Sequence, residues 1–435
     1  MNLRSPAFVI LCGVSLIASG GNMALQSVLP AIGREFHLSD TLVAGAFALS
    51  ALLWTLTSPF WARQSDVQGR KRVIMIGLWG FILSMAGFGL AATAGLETWL
   101  GAGLAFTLMA VARSLYGLFG SAAPIASQAY VADRTTAGQR TQAMSLLASA
   151  QGLGTVIGPV LAPFLVLPVI GLAGPMYAFA LIGVVALIVV WRRLPSGDAV
   201  RTPSPSGQPD HDGKGLWKDP RVRDFLLYGL LVTGAQAVNI SVLGFHIIDE
   251  LATAGSGLEA MTARQAQPFI GIAMLTGAVA TLMVQWGLIP LLRLQPRELM
   301  RWGAALALIG NVVSILSPGY FGVVVGYAVV SMGVGFARPG FTAGSSIAVT
   351  SAEQGAVAGL MMALAGLSFL APPVIGVALY EVSEPAPFVA NALLLAGALA
   401  AAWFSPALKA ARIAPDAEVQ AETPPASQPG PEGNR

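Results

Sequence analysis

Hydrophobic residues fall into twelve long runs along the chain, and polar stretches separate these runs. A helix needs about 20 predominantly apolar residues to cross the hydrocarbon core of a bilayer. The first run is longer than the core of a signal peptide, so we expect an uncleaved helix there. The pattern predicts an all-α membrane protein with twelve transmembrane helices, over 7–30, 41–61, 73–93, 104–131, 141–166, 174–192, 224–248, 268–292, 300–317, 320–348, 355–379 and 386–408.

A longer polar stretch divides the twelve runs into two sets of six. Residues 196–222 are rich in Pro, Ser, Gly and Asp, which is typical of a flexible linker. The sequence therefore predicts a first half over 1–195, a second half over 223–408 and a tail over 409–435. The tail contains several prolines and lacks apolar periodicity, so we expect it to be disordered.

The two predicted halves carry a weak internal repeat. Gln139, before run five, corresponds to Gln354, before run eleven, at an offset of 215 residues. Gly158-Pro159 and Pro372-Pro373 lie at nearly the same offset. We therefore expect two pseudo-symmetric halves of six helices each.

Composition supports a membrane protein and excludes several kinds of site. The chain has 435 residues, of which 55% are hydrophobic and 10% charged, whereas a soluble domain carries about 25% charged residues. The one cysteine, Cys12, cannot form a disulfide within the chain, and the three histidines show no ligand spacing. We expect no metal and no cofactor. An enzyme would need clustered nucleophile or acid–base residues, which the sequence lacks.

The distribution of cations predicts the orientation of the chain in the membrane. With the N-terminus inside, 20 of the 24 lysines and arginines fall on the cytoplasmic side, as the positive-inside rule requires. Arg34 and Arg264 fall on the outer side, and Arg113 and Arg338 lie within apolar runs. The expected location is the cytoplasmic membrane, with both termini in the cytoplasm.

The polar stretch 61–74 between runs two and three holds Asp66, Gly69, Arg70 and Lys71. Because charges are excluded from lipid, this stretch should lie at the water boundary, where Asp66 can pair with Arg70 or with the start of a helix. One reading is a loop whose cations only fix orientation. The other is a conformational latch, and the sequence leaves both open.

Two further runs contain motifs that need a physical reason. Run four holds Arg113 and Gly117 four residues apart, and an arginine inside a membrane helix should face the bundle. Run five holds Gly154 and Gly158 on one face, which permits close helix packing. Pro159 follows directly and removes an intrahelical hydrogen bond.

These three stretches resemble motifs of the major facilitator superfamily. The stretch 61–74 is similar to G-x-L-A-D-R-x-G-R-R/K between helices 2 and 3, although Ala62, Gln64 and Val67 depart from that pattern. Run four resembles the R-x-x-x-G motif of helix 4, and run five resembles G-x-x-x-G-P of helix 5 in drug:proton antiporters. The closest likeness is to the twelve-helix group that includes tetracycline efflux proteins.

The resemblance implies a secondary active transporter that exports small amphipathic molecules by alternating access. It implies a proton gradient as the driving force, a small-molecule substrate, a lipid bilayer and no nucleic acid, and we expect a monomer. Those efflux proteins often carry an aspartate early in helix 1, but residues 13–18 contain no acid. The sequence therefore does not identify the proton carrier.

Polar side chains on runs one, seven and ten are candidates for a substrate cavity, because the corresponding helices line the central cleft in the resembled fold. Helix–helix hydrogen bonding, worth about 0.6 kcal/mol on average in membranes, explains any single Asn or Gln equally well. The candidates are Asn22, Gln26, Gln236, Asn239, His246, Arg338, Thr342 and Ser345. We expect Arg338 to face the cavity and to meet an anionic or polar substrate group, or a counter-charge. The alternative function is a proton-coupled or facilitative importer of a small polar or anionic metabolite, which the same fold would also serve.

Overall fold

The computed structural model describes residues 5–135, 137–166, 170–196, 215–253, 261–350 and 353–411. In this part of the chain, twelve helices are long and apolar enough to cross a membrane, as the hydrophobic runs predicted. The first six are α1 (Pro6–Glu35), α2 (Asp40–Gln68), α3 (Arg70–Leu96), α4 (Ala102–Phe119 and Ala122–Arg134), α5 (Ala137–Leu165) and α6 (Gly174–Arg193).

The second half repeats this arrangement with two interrupted helices. A π-helical turn at Met283–Leu288 lies within α8, and Phe369–Ala371 separates the two segments of α11. The helices are α7 (Pro220–Ala252), α8 (Ala263–Leu292), α9 (Pro296–Leu316), α10 (Tyr320–Ile347), α11 (Gln354–Ser368 and Pro372–Val382) and α12 (Ala386–Phe404), followed by the short α13 (Pro406–Ala410).

Several helices extend beyond the apolar runs that predicted them. The first run was expected to end at Pro30, but α1 continues through this proline to Glu35. The side chain of Pro30 lies in the contact between α1 and α7, where a Cβ on Gly244 would be 2.5 Å from Pro30 Cγ. Most of the predicted linker and of the predicted tail lies outside the described residues.

The apolar core joins the two halves at one end of the bundle. The largest cluster of buried side chains runs through the first half and continues into the second half through Phe245, Ile248, Val377 and Phe388. At the opposite end, the second half has a core of its own, built from residues such as Phe225, Tyr228 and Phe341. We call the joined end the Arg34 end and the opposite end the Asp66 end.

Candidate functional site

The turn between α2 and α3 is a single residue at the Asp66 end. The sequence predicted a polar loop over 61–74, but α2 continues to Gln68 and α3 begins at Arg70. Gly69 has a φ of +90°, a backbone conformation that glycine adopts without a steric penalty. The polar residues of this stretch are therefore helical, because charged side chains at helix ends reach the water boundary while their backbone stays hydrogen bonded.

Arg70 is the centre of the polar network at this turn. Its guanidinium lies 2.6 Å from the Asp66 carboxylate, and it donates to the Asp133 carboxylate at 2.9 Å and to the Ser65 hydroxyl at 2.9 Å. Lys71 Nζ donates to a carbonyl oxygen of α6 at 2.8 Å. The network thus connects α2, α3, α4 and α6 within the first half, and a latch function for Asp66 stays a prediction.

The two glycines of the helix 5 motif lie where α5 crosses α1. A Cβ on Gly154 would lie 2.3 Å from the Leu16 carbonyl oxygen, and one on Gly158 would lie 2.1 Å from that of Gly20. Real Cβ atoms essentially never approach other atoms this closely. The crossing between these helices therefore depends on the absence of a side chain at both positions.

The proline side of the same motif faces the second half. A Cβ on Gly271 of α8 would lie 2.7 Å from Pro163 Cγ and 3.0 Å from the Pro159 carbonyl oxygen. One helix, α5, therefore packs against α1 with its glycines and against the other half of the protein with its prolines.

Arg113 is buried inside the first half, with 4% of its surface exposed. One terminal nitrogen donates to the Asn22 side-chain oxygen on α1, while the buried Nε and Nη1 have no hydrogen-bond partner. The guanidinium lies 4.4 Å from the ring centroid of Phe47 and 4.7 Å from that of Tyr116. The structure thus brings together two residues, Arg113 and Asn22, that the sequence had assigned to separate motifs.

Gly117, the second residue of the helix 4 motif, has a packing role. A Cβ at this position would lie 2.6 Å from the Ser50 carbonyl oxygen on α2. The Ser50 hydroxyl in turn donates to the Arg113 carbonyl oxygen at 3.1 Å. The motif therefore holds α4 against α2 and fixes the depth of the arginine.

On α7, two of the candidate cavity residues have partners on neighbouring helices. Asn239 Nδ2 is 3.4 Å from the Asn311 oxygen on α9 and 2.9 Å from the carbonyl oxygen one turn back. His246 is buried, with Nδ1 3.4 Å from the Tyr380 hydroxyl. These contacts are the helix–helix bonding that the sequence left open. Gln236 is half-buried, and access of substrate to any of the three stays a prediction.

The α10 candidates do not share one environment. Arg338 and Thr342 are exposed, and the Arg338 guanidinium has no hydrogen bond to any described residue. Ser345 is buried and its hydroxyl donates to the Thr342 carbonyl oxygen at 3.0 Å. Gln26 on α1 is half-buried, and its Oε1 is buried without a hydrogen bond. The opposition of Arg338 to the Asn22–Gln26 face stays a prediction.

Sequence reasoning missed a polar closure between the halves at the Arg34 end. Arg34 on α1 lies 2.7 Å from the Asp40 carboxylate on α2 and 2.8 Å from the Asp249 carboxylate on α7. The Tyr380 hydroxyl on α11 also donates to Asp249, at 2.8 Å. Arg34 and Asp249 are 215 residues apart, which is also the offset of the internal repeat. This shared offset was the sequence feature that could have predicted the contact between them.

A second inter-half contact lies beside this closure. The Glu381 carboxylate on α11 accepts hydrogen bonds from the backbone amide and the hydroxyl of Thr41 on α2, at 3.0 and 2.6 Å. A surface cavity of about 650 Å³ opens between these groups and is lined by both halves. Polar bonds and apolar packing therefore close the bundle at the same end.

Comparison with known proteins agrees with this architecture. The family model described as Major Facilitator Superfamily matches residues 11–368. Multidrug resistance protein 2 of Bacillus subtilis (strain 168) is 32% identical over 159 residues, which cover 37% of this chain and 37% of that protein. Tetracycline resistance protein, class B, of Escherichia coli is 28% identical over 181 residues, 41% of each chain. The alignments thus span well under half of these relatives.

Solved structures match over nearly the whole chain. A bacterial homologue of the human lysosomal transporter Spinster, in an inward-facing and occupied conformation, superposes with a TM-score of 0.69 at 14% identity. The match covers 95% of this chain and 99% of that one. A bacterial homologue of the iron transporter ferroportin, in an inward-facing state, gives a TM-score of 0.67 at 15% identity over 93% and 98% of the chains. At such identities the likeness concerns the fold.

Proposed function

Because the chain belongs to the major facilitator superfamily, we propose that it exports small amphipathic molecules by alternating access, using a proton gradient and no cofactor. The main support for this proposal is that the described contacts between the two halves concentrate at the Arg34 end. There, Arg34 of the first half forms an ion pair with Asp249 of the second half. A transporter that works by rocking its halves around a central site needs one closed end in each state.

The direction of transport rests on the orientation and on the relatives. The excess of cations at the Asp66 end supports a cytoplasmic location for this end, with the closed Arg34 end outside. A central site open toward the cytoplasm can load molecules from inside the cell. The similar curated proteins include multidrug and tetracycline resistance proteins, which supports export across a bacterial inner membrane.

The test uses the purified full-length protein in proteoliposomes. Tetracycline and a fluorescent lipophilic dye are added separately to the external buffer. The lumen of the proteoliposomes is acidic, as it is in everted membrane vesicles. We expect uptake of at least one probe that depends on the pH gradient and stops when a protonophore collapses it. Equal uptake into protein-free liposomes, or uptake that ignores the gradient, would contradict proton-coupled export.

One observation favours the alternative of a transporter for polar or anionic metabolites. Arg338 lies within α10, exposed and without a hydrogen bond to the described residues. An arginine in a membrane helix costs about 2.5–3.5 kcal/mol on insertion scales, so its presence needs a reason. Arg338→Ala should then reduce transport of anions with unchanged insertion. Arg338→Lys should restore the part that depends on charge alone, because lysine lacks the planar fork.

A further inference from the structure

Arg113 carries a charge inside the first half that no described acid balances. The acids in the described ion pairs of this half bind other arginines near the helix ends, and they are Asp40, Asp66 and Asp133. The side chain that meets Arg113 on α1 is the neutral amide of Asn22. Buried charges in proteins are normally paired with an opposite charge, so this site lacks one negative group.

The Arg113 guanidinium also has hydrogen-bond donors that are not satisfied. Its Nε and Nη1 are buried and have no hydrogen-bond partner, whereas Nη2 donates to Asn22. Buried donors are almost always satisfied in native proteins, and an orphaned donor calls for a specific explanation. A bound group with accepting oxygens would supply both the missing charge and the missing acceptors.

The surroundings of the guanidinium suit a ligand with an apolar body. Phe47 and Tyr116 place their rings 4.4 and 4.7 Å from the guanidinium carbon, which leaves aromatic surface beside a cation. Asn22 and Phe47 are half-buried, while Arg113 itself is 4% exposed. The accessible parts of Asn22 and Phe47 therefore offer an amide and an aromatic face next to the buried charge.

We propose that Arg113 binds the acidic group of the transported molecule, and that the substrates include amphipathic organic carboxylates. The ligand oxygens accept hydrogen bonds from the free guanidinium donors, and its apolar part packs against Phe47. This inference rests on the proposed transport function and names a substrate class for it. Arginine suits this role because it stays charged when buried and forms strong charge-assisted bonds to carboxylates.

The neutral partner Asn22 makes the inference testable by a single substitution. Asn22→Asp would place a carboxylate of the protein where the ligand's acid is expected to act, so the two would compete. Asn and Asp have nearly the same shape, and the new acid would pair with Arg113. The variant should therefore fold, which separates loss of recognition from loss of structure.

The experiment compares dansylglycine with dansylglycinamide, which has the same fluorophore but lacks the acid. Binding to the purified full-length protein is measured in detergent, and transport is measured in proteoliposomes. We expect wild type to prefer the carboxylate. Asn22→Asp and Arg113→Gln should weaken dansylglycine binding by about tenfold or more, equivalent to about 1.4 kcal/mol, with little effect on the amide. Arg223→Gln, which removes an exposed cation at the start of α7, is the control for net charge.

The outcomes separate the two proposals. Equal binding of both probes to wild type, or an unchanged preference in Asn22→Asp, would overturn the carboxylate site. If the preference is lost in Asn22→Asp and Arg113→Gln but kept in Arg223→Gln, the site is supported. Selective binding without gradient-driven transport of dansylglycine or of the lipophilic dye would support the site and contradict the proposed function.

Discussion

The crossing of α5 over α1 leaves no room for even one methyl group. A Cβ on Gly158 would lie 2.1 Å from the Gly20 carbonyl oxygen, and ordinary contacts begin at 3.4 Å. The helices would have to separate by about 1.3 Å to accept Gly158→Ala. Because the obstacle is backbone, no side chain can rotate away. Overpacking of this kind costs about 1–3 kcal/mol.

The same helix offers a matched control. Gly152 lies six residues earlier in α5 and is exposed. A Cβ at this position would have no other atom within 4 Å. Gly152→Ala and Gly158→Ala share the gain of roughly 0.5–1 kcal/mol that alanine brings to a helix. The difference between the two variants therefore isolates the cost of the crossing, about 1–3 kcal/mol.

Unfolding by denaturing detergent, followed by tryptophan fluorescence, gives the free energy of unfolding of each variant. Transport measured in parallel should fall in Gly158→Ala and disappear in Gly158→Leu, because a larger side chain forces the backbones further apart. If Gly158→Ala proves as stable as Gly152→Ala, the two helices do not cross as closely as described, and the packing argument is wrong.

Two further predictions concern the two ends of the bundle. Asp66→Asn should insert normally and strongly reduce transport, because it removes the acid 2.6 Å from Arg70; normal transport in proteoliposomes would exclude a latch. Arg34→Gln should loosen the Arg34 end, because it breaks the ion pairs to Asp40 and Asp249. The assay uses Ser27→Cys in a Cys12→Ala background, because Ser27 is buried. In Arg34→Gln, this cysteine should react with an impermeant maleimide about tenfold faster, equivalent to about 1.4 kcal/mol. An unchanged rate would show that the closure does not depend on Arg34.

The helices and their grouping were predictable because a bilayer demands a fixed length of apolar residues. This length requirement applies only to the side chains that lie in lipid. It therefore predicts the position of each apolar run but not the residue at which each helix ends. This is why α2 and α3 run on through charged residues to either side of Gly69. Similarly, Pro30 was read as a helix end, although packing against Gly244 accommodates it within α1.

The site was harder to predict because contacts between helices depend on their rotation. The sequence identified Arg113 as a buried cation and Asn22 as a polar candidate, but nothing in it showed that α1 turns Asn22 toward α4. Arg34 and Asp249 looked like ordinary charges at helix ends. Their partnership follows from the packing of α1 against α7, and only the 215-residue offset pointed to it.

This offset has a consequence for the architecture of the protein. Two residues at equivalent positions of a twofold repeat touch only if they lie near the repeat axis, as in a symmetric dimer. At this point on the axis the chain has an arginine in one half and an aspartate in the other. A protein built from two copies of the first half would bring Arg34 against its own duplicate, and the like charges would repel. The unlike residues of the two halves thus turn a repulsive contact at this point into an ion pair that helps to close this end.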